Sequence, residues 1–165
     1  MSPAAHGPAA EGQARGLVIG LGTRWRGDDG VGPAAVAALR EALAEHPAPP
    51  AVDVATATGE PAELMELWSG HDRVWLIDAL VAGEAPGTLH RLDGHEPLPH
   101  RSSHSSHGIG LAQAVELARA LDALPPRLTI HGVEPASLEE GDRLSPAVAA
   151  ALPTLVTSLL DEMAQ

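Results

Sequence analysis

The segment Gly20-Leu21-Gly22-Thr23-Arg24-Trp25-Arg26-Gly27-Asp28-Asp29-Gly30-Val31-Gly32 constrains this chain more than any other. A short apolar run, Leu17-Val18-Ile19, precedes it and an Ala/Val/Leu helical pattern follows, so it predicts a strand–loop–helix junction. Gly20 and Gly22 allow the backbone to turn sharply after the strand. The loop then delivers two adjacent carboxylates, Asp28 and Asp29, at the helix entrance. A P-loop would need lysine after its last glycine, but Asp28 follows Gly27 and all 10 basic residues are arginines. A dinucleotide fingerprint would need a third glycine where Trp25 stands. The loop suits a cation or proton chemistry, not a nucleotide.

Beyond this junction, apolar runs alternate with helical periodicity. Strands are predicted at 16–21, 51–56, 73–79, 87–92 and 127–133, and helices at 31–45, 60–69, 108–122 and 145–163. Val31, Val36, Leu39 and Leu43 recur on one helical face, as do Val148, Leu152, Leu155, Val156, Leu159 and Met163. Ser145-Pro146 supplies an N-cap and a first-turn proline for the last helix, and Pro153 is expected to kink it. This alternation predicts a three-layer α/β/α sandwich whose mainly parallel, twisted sheet of about five strands has helices on both faces. Residues 1–15, rich in Ala, Pro and Gly, read as a flexible tail; residues 16–165 read as one domain.

Composition narrows the function classes. A net charge of −12 argues against a nucleic-acid groove or an anionic membrane surface. The absence of cysteine removes disulfides, thiolate metal sites and a cysteine nucleophile together. No apolar stretch is long enough to span a membrane, and the first residues lack a signal-peptide core, so the cytoplasm is the expected location. There is no Gly-x-Ser-x-Gly elbow for a serine hydrolase and no His-Glu-x-x-His for a self-contained zinc protease.

In open α/β sheets, ligands gather beyond the carboxyl ends of the strands. That rule selects Asp29 after the first strand, Asp78 at the end of Arg73-Val74-Trp75-Leu76-Ile77, and His107 just before the third helix. Two carboxylates and one imidazole suit a divalent transition metal with positions left open. Each residue also has a plainer reading. Asp28 or Asp29 can cap the first helix or oppose its dipole, Asp78 can accept loop amides, and Ser105 and Ser106 can cap the third helix. His100, His104 and His107 have the spacing of a helical metal stripe, although the Ser and Arg residues between them fit a loop as well. His6, His46, His71, His90 and His95 read as surface residues. The Trp25 ring either meets a partner or folds back on the sheet edge.

Together these motifs resemble the hydrogenase maturation proteases over about Gly16 to Met163. The likeness rests on Gly20-Leu21-Gly22 with Arg26-Gly27-Asp28-Asp29-Gly30-Val31-Gly32-Pro33, on Leu76-Ile77-Asp78-Ala79, and on Ala85-Pro86-Gly87-Thr88. Ser105-Ser106-His107-Gly108-Ile109-Gly110-Leu111-Ala112, Gly132-Val133-Glu134-Pro135 and Leu144-Ser145-Pro146-Ala147-Val148 complete it. Two positions depart from the pattern: Thr23 stands where the family often has Asn, and Ala55-Thr56-Ala57-Thr58-Gly59 replaces an Asp-Gly-Gly turn. The resemblance implies a cytoplasmic, monomeric endopeptidase that trims the C-terminal extension from the large-subunit precursor of a [NiFe] hydrogenase. It implies that nickel arrives in that precursor, held by its cysteines, and is contacted by Asp29, Asp78 and His107. Asp28 is then a candidate general base. Two other readings compete: a non-catalytic adaptor for a metalloprotein precursor, and a small-molecule metallohydrolase with a permanently bound metal.

Overall fold

The first helix returns the chain to pair its second strand with one edge of the first, and the next helix carries it across to the other edge. In the computed structural model, which describes residues 14–46, 52–98 and 110–165, the strands are β1 (Gly16–Leu21), β2 (Val52–Ala57), β3 (Arg73–Ala79), β4 (Leu89–Asp93) and β5 (Arg127–Val133). The helices are α1 (Val31–Glu45), α2 (Pro61–Trp68), α3 (Leu111–Ala120) and α4 (Pro146–Met163), and a single 3-10 turn, Gly27–Gly30, leads into α1. The sheet order is β2-β1-β3-β5-β4. All pairings are parallel except that of β4 with β5. The predicted α/β/α sandwich is therefore the observed architecture, with its last added strand reversed.

Side chains alternate across the sheet and divide the core in two. Leu17, Ile19, Leu21, Val74, Leu76, Leu128 and Ile130 pack under α2 and α3 with Leu64, Trp68, Val115 and Ala118. Val18, Trp75, Ile77 and Val133 pack under α1 and α4 with Val31, Leu39, Val148, Leu155 and Leu159. Gly20 explains how closely α1 can approach β1. A Cβ there would lie 2.3 Å from the Gly32 carbonyl oxygen, and one on Gly32 would lie 2.0 Å from that of Leu21. Two hydrogens in place of side chains thus fix where the helix entrance sits against the strand end.

Most element boundaries move by a residue or two. The fourth strand begins at Leu89 because Ala85–Thr88 closes a turn, with the Thr88 amide and hydroxyl both donating to the Ala85 carbonyl. Helix α4 continues through Pro153. Ser145 stands at its N-cap position, but its hydroxyl does not cap the helix; it donates elsewhere, as described below. Arg15, placed in the tail by composition, is tied to the fold: its amide donates to Asp72 Oδ2 and its carbonyl accepts from Asp72 and Arg73. Of the histidines expected at the surface, His71 is buried and His90 is half-buried. His71 is buried against Asp53 at 2.9 Å, and His90 lies 3.0 Å from Glu134. His6, His100, His104, Ser105, Ser106 and His107 lie outside the described residues.

Candidate active site

Between β1 and β3 the chain changes direction: β1 leads to α1 on one face, and α2 returns to β3 on the other. Such a switch point opens a crevice beyond the strand ends, where ligands of α/β proteins bind. Both acids selected from the sequence lie there. Asp78 is the penultimate residue of β3, and alternation places it on the α2/α3 face with Leu76. Asp29 enters from the 3-10 turn after β1, held by the Thr23 amide, which donates to its Oδ2 at 2.8 Å. Gly22, at φ +123°, brings the backbone against the same turn, so close that a Cβ would overlap the Asp29 carbonyl oxygen.

The charge of Asp29 acts on Asp78. Burial and then the negative charge of Asp29 push the Asp78 pKa up to about 8. One hydrogen bond, from the Ala79 amide to Oδ1 at 2.8 Å, works in the opposite direction. Asp78 therefore holds a proton at neutral pH, and a cation that displaces this proton would relieve both penalties. Among the described residues no group of three His, Cys, Asp or Glu side chains is gathered for a metal ion.

Asp28 does something different from either role expected of it at the helix entrance. It is 1% exposed and caps nothing; α1 starts after Gly30 without a side-chain cap. Its Oδ1 accepts the Ser145 amide at 2.7 Å. Its Oδ2 accepts the Ala136 and Ser137 amides and the Ser145 hydroxyl, at 2.8, 3.1 and 2.9 Å. Burial pushes its pKa up, but the hydrogen bonds outweigh this and hold it below the usual carboxylate value. Residues 28 and 29 thus serve different segments: one closes the 136–145 loop onto the turn, and the other accepts the Thr23 amide while its charge acts on Asp78.

Sequence reasoning gave Glu134 no role. It is 3% exposed, its two oxygens accept the Ala82 and Gly83 amides at 3.0 Å, and it faces His90 Nε2. This carboxylate fastens the loop that leaves β3 immediately after Asp78. An acid following the apolar end of β5 was the visible signal, the same signal that singled out Asp78 on β3.

On the α1 side of the turn lies a cavity of about 390 Å³ lined by residues that include Arg24, Gly27, Gly30, Arg40, Thr56 and Asp142. Nearby, the Trp25 ring is 66% exposed, so it does not fold back on the sheet edge. Helix α3 runs back along the sheet from the carboxyl rim. Its last turn is anchored at the opposite end, where Arg119 donates to the carbonyls of Gly94 and His95 and Trp68 donates to that of Ala123. Gly110, which precedes α3, therefore lies on the Asp78 side of the rim.

Comparison with known proteins agrees with this architecture. The family model for hydrogenase maturation proteases matches residues 36–162, a span that contains Asp78. The chain belongs to the hydrogenase maturation protease family. It is 30% identical over 146 residues to the hydrogenase 2 maturation protease of Escherichia coli strain K12, covering 87% of each chain. It is 28% identical over 145 residues to the hydrogenase expression/formation protein HupD of Rhizobium leguminosarum bv. viciae, covering 85% of this chain and 69% of that one. The structure of the hydrogenase maturating endopeptidase HybD from E. coli superposes with a TM-score of 0.73 at 29% identity, over 90% of this chain and 91% of that chain. As a hydrogenase maturation protease, the chain is an endopeptidase.

Proposed function

We propose that this protease removes the C-terminal extension of a [NiFe] hydrogenase large-subunit precursor and recognises the nickel that the precursor carries. The observation supporting this reading is the pairing of Asp29 with Asp78 at the switch point, where one carboxylate disfavours ionisation of the other. Such a pair is poised for a cation delivered from outside. His107 supplies the third contact. It stands three residues before Gly110, the residue that precedes α3. The nickel is part of the substrate, held by precursor cysteines, and its arrival completes the coordination and sets the scissile peptide over the crevice. Because Asp78 must give up its proton when the metal binds, engagement strengthens as pH rises toward 8.

In this reading Asp28 is a positioning residue and not the general base, since its oxygens already accept four hydrogen bonds from the 136–145 segment. The test is cleavage of the cognate precursor, nickel-loaded and nickel-free, by the wild type and by Asp29→Asn, Asp78→Asn and His107→Ala. Only the loaded precursor should be shortened, and each variant should leave it whole while keeping the wild-type circular dichroism spectrum. Equal cleavage of both precursor forms would refute nickel recognition.

A further inference from the structure

The cavity on the α1 side of the 3-10 turn shares a wall with the acid pair. Gly27 and Gly30 line it, while the charge of Asp29 in the same turn acts on Asp78. The cavity and the acid pair are thus joined through one turn of the chain, Gly27–Gly30. Its floor is the outer flank of α1, where Pro33, Ala34 and Ala37 leave room, and Leu144 adds an apolar side.

Two arginines, Arg24 and Arg40, are among its lining residues in a chain of net charge −12. Arg40 is held in place by one bond, from NH2 to the Val54 carbonyl at 3.1 Å, which leaves its other donors available. Arg24 makes no hydrogen bond or ion pair among the described residues. Asp142 lines the same space. Two cations with one carboxylate match a peptide, which offers both carboxylate and N–H groups, better than a bare anion such as phosphate.

Trp25 adds an anchor beside the cavity. Its backbone is fixed, since Gly141 donates to the Trp25 carbonyl and the Gly27 amide donates to the Gly141 carbonyl, both at 3.0 Å. The ring itself is exposed. A rigidly mounted, exposed tryptophan loses little entropy when it packs against a partner.

We propose that this cavity is a substrate subsite. It seats a segment of the precursor polypeptide that turns a carboxylate toward Arg24 and Arg40 while an apolar side chain packs on Trp25. The proposal rests on the precursor-cleaving reading above and adds what holds the polypeptide beside the crevice. The carboxylate is either an acidic side chain or the chain terminus.

The test measures binding and cleavage of the nickel-loaded precursor in parallel, using the wild type, Arg24→Gln, Trp25→Ala and the double variant Arg24→Gln/Arg40→Gln. Binding to the double variant should weaken about tenfold, the cost of one lost charge-assisted hydrogen bond. The loss should appear as a raised KM. Arg24→Gln alone, at an exposed position with no bond among the described residues, should show part of this loss with an unchanged melting curve. Precursors with an amidated terminus, or with acidic extension residues replaced by their amides, identify the source: the altered precursor that no longer distinguishes wild type from variant carried the carboxylate. Unchanged binding and KM in all variants, with normal wild-type cleavage, would overturn the subsite and leave the proposed function standing. Binding that weakens as expected without wild-type cleavage would support the subsite and overturn the cleavage reading.

Discussion

Replacing Asp28 by Asn tests whether a buried carboxylate holds the rim together. The substitution keeps the shape but not the acceptors. With its carbonyl in the Oδ2 position, the new amide side chain still accepts from Ala136, Ser137 and the Ser145 hydroxyl, but its NH2 group then confronts the Ser145 amide, a second donor. One hydrogen bond to a charged group is lost and the others lose their charge assistance, a cost of about 1.5–3 kcal/mol. Asp28→Ala leaves all four donors without their partner and should cost more, on the order of 3–5 kcal/mol, less whatever water recovers in the exposed loop. Urea unfolding followed by tryptophan fluorescence reads both, and the slope should stay constant while the midpoint falls. The pH dependence makes the test sharper. Because folding lowers the Asp28 pKa from 3.8, its contribution is present above that value and disappears as pH falls through the folded-state pKa. The gap between wild type and Asp28→Asn should therefore be constant near neutrality and close in acid. An Asp28→Asn protein as stable as the wild type at pH 7, or a gap that widens in acid, would refute the assignment.

Asp78→Asn should behave in the opposite way. Folding raises the Asp78 pKa from 3.8 to about 8, so wild-type stability declines as pH rises across that interval, while the variant lacks this decline and is the more stable protein at pH 8. Thermal melts of both proteins across that range check the sign. Asp29→Asn removes the neighbouring charge and should bring the Asp78 pKa down toward its ordinary value, visible in a carboxyl carbon NMR titration. Gly20→Ala would drive a methyl group into the Gly32 carbonyl, a backbone contact that cannot rotate away. It should cost at least about 1–3 kcal/mol in urea unfolding, the usual scale of overpacking.

The fold was legible because its signals are local and repeated: apolar runs of strand length, helical periodicity between them, and turn residues at the joints. The acids at the strand ends were legible for a related reason, since a charge that abruptly ends an apolar strand must lie at a sheet rim. Direction and partnership were harder. The reversal of β4 goes with its short connection: Leu80 to Thr88 leaves no room for a helical crossover from β3, and backbone bonds between Gly87, Thr88 and Glu134 set the strand beside β5. Asp28 looked like a cap because sequence shows only neighbours, whereas its partners lie 108 to 117 residues away. His71 and His90 looked exposed for the same reason: the carboxylates they meet, half-exposed Asp53 and buried Glu134, stand elsewhere in the chain.

Two acids, Asp28 and Glu134, fasten segments that the chain wrote far apart, and each acid sits on a different segment from the one it secures. The carboxyl edge of the sheet is therefore interlaced rather than modular. A loop grafted in from a relative would bring one half of a clasp and leave its mate behind. Any reshaping of specificity in this enzyme has to exchange the turn after β1, the loop after β3 and the stretch after β5 as a set.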